Sequence, residues 1–315
     1  MKNSNTLTII SSPLQAMCAV GYIKEHNIKN VDFVISSYSV NFLKYNRGVL
    51  RYLNDNGYQY KVFITRNALK ILRYYGTLGK YGRFIIGDFR DLDKKMLMLF
   101  YAESKIDVVY VDDGNASLII EKETKSFLRS LLVRFIDCML NKRVNNRTFY
   151  SAFIKEKEIA GIPVIHNEMK HLRINGKQVE DVVIIVGCFC NAFTEFGKDY
   201  ISYLQRLDNY IKAKWPSAHI KYYPHRRENN IEGIYGLCNQ LKWLVCRSRI
   251  NIELDIAQSQ YFPCEIIGFG SSALYLLKII CSEVLITSVH FTELAGYPDI
   301  EKEYEDAGID IIRFE

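Results

Sequence analysis

Apolar and polar positions alternate along this chain in two successive series of short apolar runs and longer helical stretches. In the first series, Leu7–Ile10, Val31–Ile35, Lys61–Thr65, Arg83–Ile86 and Asp107–Val111 are short and rich in Val, Ile and Phe, which predicts strands. Between them, Leu14–Glu25, Phe42–Asn56, Ala68–Tyr75 and Asp91–Glu103 carry the spacing of helices with one buried face. Further helices are expected around Ser126–Leu140 and Phe149–Glu158. The stretch Ala160–Gln178 is polar, holds Gly and Pro and loses its periodicity, so it reads as a linker. The second series then starts with a strand at Val182–Val186, a helix at Thr194–Lys214 and a strand at Ile220–Tyr223. Strands at Asn251–Leu254, Glu265–Ile267, Val284–Thr287 and Asp310–Arg313 follow, with a helix at Ala273–Ile280.

Strands alternating with helices imply a parallel sheet covered on both faces. With 315 residues the chain is long enough for two such cores. The expected organisation is therefore an α/β protein of two domains, residues 1–170 and 171–315, with a ligand cleft where they face each other.

Composition narrows the class. At 49% hydrophobic and 24% charged, with six prolines, the chain is globular and has no biased tract. Its eight cysteines show no Cys-x-x-Cys pair, and Cys188-Phe189-Cys190 lacks a second half to close a metal site. Reduced thiols in a cytosolic protein are expected, and no metal. No run of about 18 apolar residues occurs, and Met1-Lys2-Asn3-Ser4-Asn5 leads into the first strand without a signal core. The net charge of +6 suits anionic ligands or an anionic membrane surface. It is too small and too dispersed for a nucleic-acid partner. Lys125–Arg143 interleaves apolar residues with cations, the pattern of a helix lying on a membrane or of one packed on the core with its charges in water.

Candidate chemistry sits in loops that follow apolar runs, where ligands bind in open α/β sheets. Asp112-Asp113-Gly114 follows the fifth strand: a carboxylate there can take a proton from an attacking hydroxyl, and glycine allows a sharp turn. The same tripeptide also makes an ordinary solvated turn. Pro224-His225-Arg226-Arg227-Glu228 offers an imidazole and two cations to a leaving phosphate. Gly268-Phe269-Gly270-Ser271-Ser272 opens a helix, giving either a phosphate site or a plain cap. Gly187, after the second domain's first strand, admits a ligand close to the backbone. No Gly-x-Gly-x-x-Gly or Walker loop lies at a strand–helix junction, and Gly-x-Ser-x-Gly is absent.

Taken in order, these motifs resemble those of the bacterial sialyltransferases of GT-B fold, most closely glycosyltransferase family 52 and its polysialyltransferase relatives. Those families carry an acidic pair followed by Gly, then His-Pro, then a pair of Ser or Thr. Here Asp112-Asp113-Gly114 and Ser271-Ser272 match, while Arg226 stands where a second proline often follows the histidine. Ser11-Ser12-Pro13-Leu14-Gln15 and Ile86-Gly87-Asp88 add to the likeness. The resemblance implies a GT-B glycosyltransferase fold, two Rossmann-like domains facing a central cleft, with the acceptor-side base in the first and the CMP site in the second. It implies Asp112 as general base on the acceptor hydroxyl and His225 as acid or stabiliser at the leaving phosphate. The expected donor site comprises Ser271, Ser272, Gly270, Gly187, Arg226 and Glu265; Asp113, Gly114, Pro13 and Gln15 are expected in supporting roles, Asp113 orienting the turn.

The implied reaction inverts the anomeric centre without a metal. It moves sialic acid from CMP-sialic acid to a sugar hydroxyl, galactose being expected, of a lipopolysaccharide, O-antigen or capsule precursor. The expected partners are thus CMP-sialic acid and a glycolipid or oligosaccharide acceptor. The expected location is cytoplasmic, peripheral on the inner face of a bacterial cytoplasmic membrane. Transfer of another nonulosonic acid or of a UDP-sugar, and a non-catalytic glycan- or nucleotide-binding role, remain open at this point.

Overall fold

A computed structural model describes residues 5–37, 40–64, 79–87, 92–112, 135–159, 161–173, 175–189, 194–225, 228, 231–291 and 298–314. The chain divides into two compact units, Met1–His171 and Leu172–Glu315.

The first unit holds β1 (Thr6–Ile10), α1 (Pro13–Glu25), β2 (Val31–Ser37), α2 (Val40–Tyr45), α3 (Arg47–Asp55) and β3 (Tyr60–Ile64). It continues with β4 (Tyr81–Gly87), α4 (Leu92–Tyr101), β5 (Ala102–Val111), β6 (Val144–Ser151), β7 (Glu158–Ile159) and β8 (Ile162–His166). The strands form one sheet in the order β3-β2-β1-β4-β5-β6-β8-β7, parallel except for the β7–β8 hairpin. Ile9, Phe84, Ile106 and Val108 lie in its buried core. Such a sheet is covered on both faces, so its strands read as apolar runs and not as alternations.

Three expectations in this unit are corrected. Phe149–Glu158 is not a helix, because its start belongs to β6, an interior strand between β5 and β8 with both Phe149 and Tyr150 buried. A short apolar run does not distinguish the two states by periodicity. The linker expected from Ala160 begins later, since β8 is paired to β6 through Phe149↔Val164, Tyr150↔Ile165 and Ser151↔His166. The helix expected over Phe42–Asn56 is two helices that break at the buried Asn46. The Ala68–Tyr75 stretch, and Lys125–Arg143 up to residue 134, lie outside the described residues; residues 135–141 are helical.

The second unit holds β9 (Val179–Val186), α5 (Thr194–Lys214), β10 (His219–Tyr223), α6 (Ile231–Leu241), β11 (Leu244–Val245) and α7 (Ile252–Gln258). It ends with β12 (Phe262–Gly268), α8 (Ser272–Ile280), β13 (Leu285–His290), α9 (Pro298–Asp306) and β14 (Asp310–Arg313). Its parallel sheet has the order β11-β10-β9-β12-β13-β14. The strand expected at Asn251–Leu254 is instead the start of α7: Asn251 caps it, its side-chain oxygen accepting from the Leu254 N–H at 3.2 Å. An N-cap asparagine followed by acidic residues in the first turn, Glu253 and Asp255, marks a helix start, and that signal outranks the β-propensity of Ile252.

Among their parallel strands, both sheets therefore reverse strand order once, between β1 and β4 in the first and between β9 and β12 in the second. A crevice opens outside the carboxyl ends of the strands at each reversal, and ligands of open α/β sheets bind there.

Candidate functional site

The second unit brings three of the sequence motifs to one reversal. Val186, the last residue of β9, is in register with Tyr223 on one side and Gly268 on the other. The loops that begin at Gly187, Pro224 and Phe269 thus leave the sheet side by side. Gly187 has to be glycine. A Cβ there would stand 2.8 Å from the His225 nitrogen, 2.8 Å from the Tyr222 hydroxyl and 2.9 Å from the Tyr223 carbonyl oxygen. Its own N–H donates to that carbonyl at 2.8 Å.

The His225 loop is fixed from beneath by Glu228, which is 4% exposed. Its carboxylate accepts from the Tyr222 hydroxyl at 2.8 Å and from the His225 N–H at 3.0 Å. Tyr222 spends its only proton on Glu228, so the bond of 2.9 Å between Tyr200 and Tyr222 has Tyr200 as donor. Tyr200 in turn accepts from the Cys188 N–H at 3.2 Å. A single directed chain thereby ties the loop after β9 to the loop after β10. Burial pushes the Glu228 carboxyl up to about 7, against the opposing pull of its bonds from Tyr222 and His225. The His225 ring lies 5.8 Å from that of Phe189, tilted by 31°.

On the other flank, Gly270 takes a left-handed φ of +56°, the region glycine adopts without strain. Its N–H donates to the Ser288 hydroxyl at 3.3 Å. Ser271 is the N-cap of α8, its hydroxyl oxygen accepting from the Ala273 N–H at 3.3 Å. Ser272 is the first residue of the helix. Both hydroxyls thus stand at the positive end of an apolar helix, the arrangement in which phosphate oxygens are bound.

Glu265 does not join this group. It lies in mid-strand opposite Leu285, the first residue of β13, and is fully buried. Its carboxylate accepts from Trp215 Nε1 at 2.6 Å, from Lys214 at 3.1 Å and from the Thr287 hydroxyl. Lys214 ends α5 and Trp215 follows it, and this helix starts after the carboxyl end of β9 and runs back toward the amino end of the sheet. Glu265 is therefore part of the unit's interior framework. The sequence suggested otherwise because a carboxylate three residues before Gly268 looks near the site, while strand geometry places it about 10 Å lower. A buried acid that sequence reasoning passed over is Glu253, in the first turn of α7, the helix packed against α8. Only the Asn251 cap marks it.

The first unit places Asp112 immediately after β5, in the row of strand ends beside Gly87 of β4, where Gly87 is in register with Val111. Asp112 is 2% exposed. Its carboxylate accepts from the Ser151 hydroxyl and from the Ala152 N–H at 2.7 Å, both at the end of the neighbouring β6. The Cys18 thiol of α1 lies 3.9 Å from the same carboxylate. Burial, and then the Asp112 charge, push that thiol's pKa up and keep it protonated.

Ser12 caps α1, accepting from the Gln15 N–H at 3.3 Å, and Pro13 sits at the start of the helix, where its missing N–H costs nothing. Gln15 is buried. Its side-chain oxygen accepts from the Ser11 N–H at 2.7 Å and from the Ser11 hydroxyl at 3.0 Å. It lies over Gly87, where a Cβ would collide with it. The Gly87 carbonyl accepts from the buried Lys94. Pro13 and Gln15 thus build the first reversal, with Asp112 on the adjoining strand. Asp113, Gly114 and Arg226 lie outside the described residues.

Among the described residues, no group of three or more His, Cys, Asp or Glu is arranged to hold a metal ion. The cysteines described are free thiols. No helix among the described residues is long and apolar enough to cross a membrane.

No family model matches the sequence, and no curated protein matches it. Solved structures do. An α/β-galactoside α-2,3-sialyltransferase from the luminous marine bacterium Photobacterium phosphoreum aligns over 98% of this chain and 98% of its own. The TM-score is 0.58 and the identity 12%. A sialyltransferase from Photobacterium damsela aligns over 99% of this chain and 82% of its own, with a TM-score of 0.53 and 12% identity. The fold is accordingly the GT-B glycosyltransferase fold, in the form these sialyltransferases have.

Proposed function

We propose that the protein is a sialyltransferase that moves sialic acid from CMP-sialic acid to a sugar hydroxyl, with inversion and without a metal. The observation that carries this reading is the second reversal, where a glycine-floored loop, a histidine loop and a serine-opened helix emerge from three adjacent strands. That set provides close backbone approach, a proton or cation, and hydroxyls at the positive end of a helix, which together suit a leaving nucleotide phosphate. The first unit supplies the complementary group, a carboxylate at a strand end. In this reading Asp112 takes the proton of the acceptor hydroxyl as it attacks. His225 meets the charge developing on the departing phosphate, and Ser271 and Ser272 hold that phosphate. The mild positive charge suits an anionic donor and an acceptor carried on a membrane-bound lipopolysaccharide, O-antigen or capsule precursor.

The test is CMP release from CMP-sialic acid with lactose as acceptor, in the presence of a chelator. Asp112→Asn and His225→Ala should each lower kcat on the order of 10²-fold or more. Near wild-type turnover in either variant would remove that residue's role. Thermal stabilisation by UDP and not by CMP would overturn the donor, and stabilisation by a nucleotide with no turnover would favour a binding protein.

A further inference from the structure

The carboxylate assigned as base is not simply left at a strand end; it is seated. Ser151, the last residue of β6, is 1% exposed, and its hydroxyl faces Asp112 Oδ1. The same hydroxyl oxygen accepts from the Phe153 N–H at 3.1 Å and from the Ile154 N–H at 3.0 Å. A serine hydroxyl has one proton and two lone pairs. Both lone pairs are occupied by main-chain donors of its own turn, so the proton has one direction left, toward Asp112. The next residue completes the seat: Ala152 N–H donates to Asp112 Oδ2 at 2.7 Å. The turn is itself anchored, because the Ser151 carbonyl accepts from the N–H of Asn167 at 2.8 Å, at the end of β8. Two successive residues of one turn thus each donate to a different oxygen of the carboxylate, beside the Cys18 thiol on Oδ2.

We infer that Ser151 is a positioning residue for the transfer, orienting Asp112 through a hydrogen bond whose direction its own turn dictates. The inference rests on the reading of Asp112 as general base. Ser151 meets the reaction only through Asp112, so its loss should lower turnover and leave substrate affinity alone. A base misaligned by a fraction of an ångström loses rate but not binding.

The experiment compares Ser151→Ala, Ser151→Cys, Ser151→Thr and Asp112→Asn by CMP release from CMP-sialic acid with lactose, alongside the melting temperature of each. Ser151→Ala should lower kcat about tenfold to hundredfold with KM unchanged, the size of one hydrogen bond to a charged group. Ser151→Cys, which keeps an acceptor for Phe153 and Ile154 but donates weakly, should show the same loss with the fold intact. Ser151→Thr, which keeps the hydroxyl, should restore most of the rate. If Asp112→Asn is inactive while Ser151→Ala and Ser151→Cys keep wild-type kcat, the positioning role is wrong and the base assignment survives. If Asp112→Asn stays active, the base assignment itself fails. A fall in kcat that tracks melting temperature and is not restored by threonine would make Ser151 a structural residue only.

Discussion

Glu228 should make the second unit more stable as the pH falls, the reverse of ordinary acid denaturation. Its carboxyl is pushed from the usual 4.5 up to about 7 because it is buried and the bonds from Tyr222 and His225 do not repay the lost hydration. An acid that holds its proton more tightly folded than unfolded takes up protons on folding between those two values. Folding therefore gains stability as pH drops through 7, and the cost of burying the charge is gone below 4.5. At about 1.4 kcal/mol per pH unit this comes to about 3 kcal/mol. His290 works the other way. Burial first, and then Arg313, push it down to about 4, so its neutral form is favoured above 6.5 and that contribution is lost as pH falls toward 4. In the native protein the two trends oppose each other.

Glu228→Gln separates them, because it removes one titration and leaves the other. The chain's two tryptophans, Trp215 and Trp243, both lie in the second unit, and Trp243 is stacked on Tyr222 with ring centres 6.3 Å apart. Urea denaturation followed by tryptophan fluorescence thus reports on this unit. Between pH 8 and pH 4.5 the stability difference between variant and native protein should change by about 3 kcal/mol, the native protein gaining as the solution becomes acid. Among the described residues, Tyr200, Tyr222 and Cys238 sense the Glu228 charge; burial pushes all three up, and they do not titrate in that window. A difference constant across the range to within about 0.5 kcal/mol, against an expected slope of about 1.4 per pH unit, would refute a charged, buried Glu228.

Three further outcomes are expected. Gly187→Ala forces a methyl against main-chain atoms of the His225 loop, so both loops must shift; nucleotide-induced stabilisation, measured as a thermal shift with CMP, should be lost. Glu265→Ala leaves Lys214 and Trp215 Nε1 without their buried acceptor and should destabilise the second unit by about 3–5 kcal/mol. CMP affinity of the folded protein, measured by titration calorimetry, should stay unchanged, and a selective loss of affinity would return Glu265 to the site. Asn251→Ala removes the cap of α7 and should cost about 1 kcal/mol in urea denaturation.

The parts of this structure that were legible in the sequence are those written in local spacing. Thr194–Lys214 announces a helix because its apolar spacing is sustained over 21 residues, and Val182–Val186 a strand because five β-branched residues stand in a row. Phe149-Tyr150 did not, because a strand buried on both faces between β5 and β8 has no alternation to read. Ile252-Glu253-Leu254 misled for a related reason: three residues are less than one helical turn, and the asparagine before them carries the information. The loops that hold Asp112, His225 and Ser271 were visible as polar breaks after apolar runs. What holds them was not. Ser151 reaches Asp112 from the neighbouring strand and Tyr222 meets Tyr200 of α5, contacts that only the packed elements create, while Glu228 stands in the histidine motif itself but its burial under the loop has no sequence signal.

That assembly also explains how a phosphate-binding edge can exist here without the glycine fingerprint of dinucleotide-binding folds. Such a fingerprint gathers its glycines into one turn after one strand. In the second unit the same physical needs are divided between two strands that meet at the reversal. Gly187 after β9 provides close backbone approach, and Gly270 after β12 provides the left-handed turn into a helix. Val186 and Gly268 are direct neighbours in register, so the two glycines emerge together although 83 positions separate them in the chain. A motif search along the sequence is blind to such a pair. A strand order of third, second, first, fourth, fifth and sixth makes it inevitable, since the first and fourth strands of that order are always the ones that part company at the crevice.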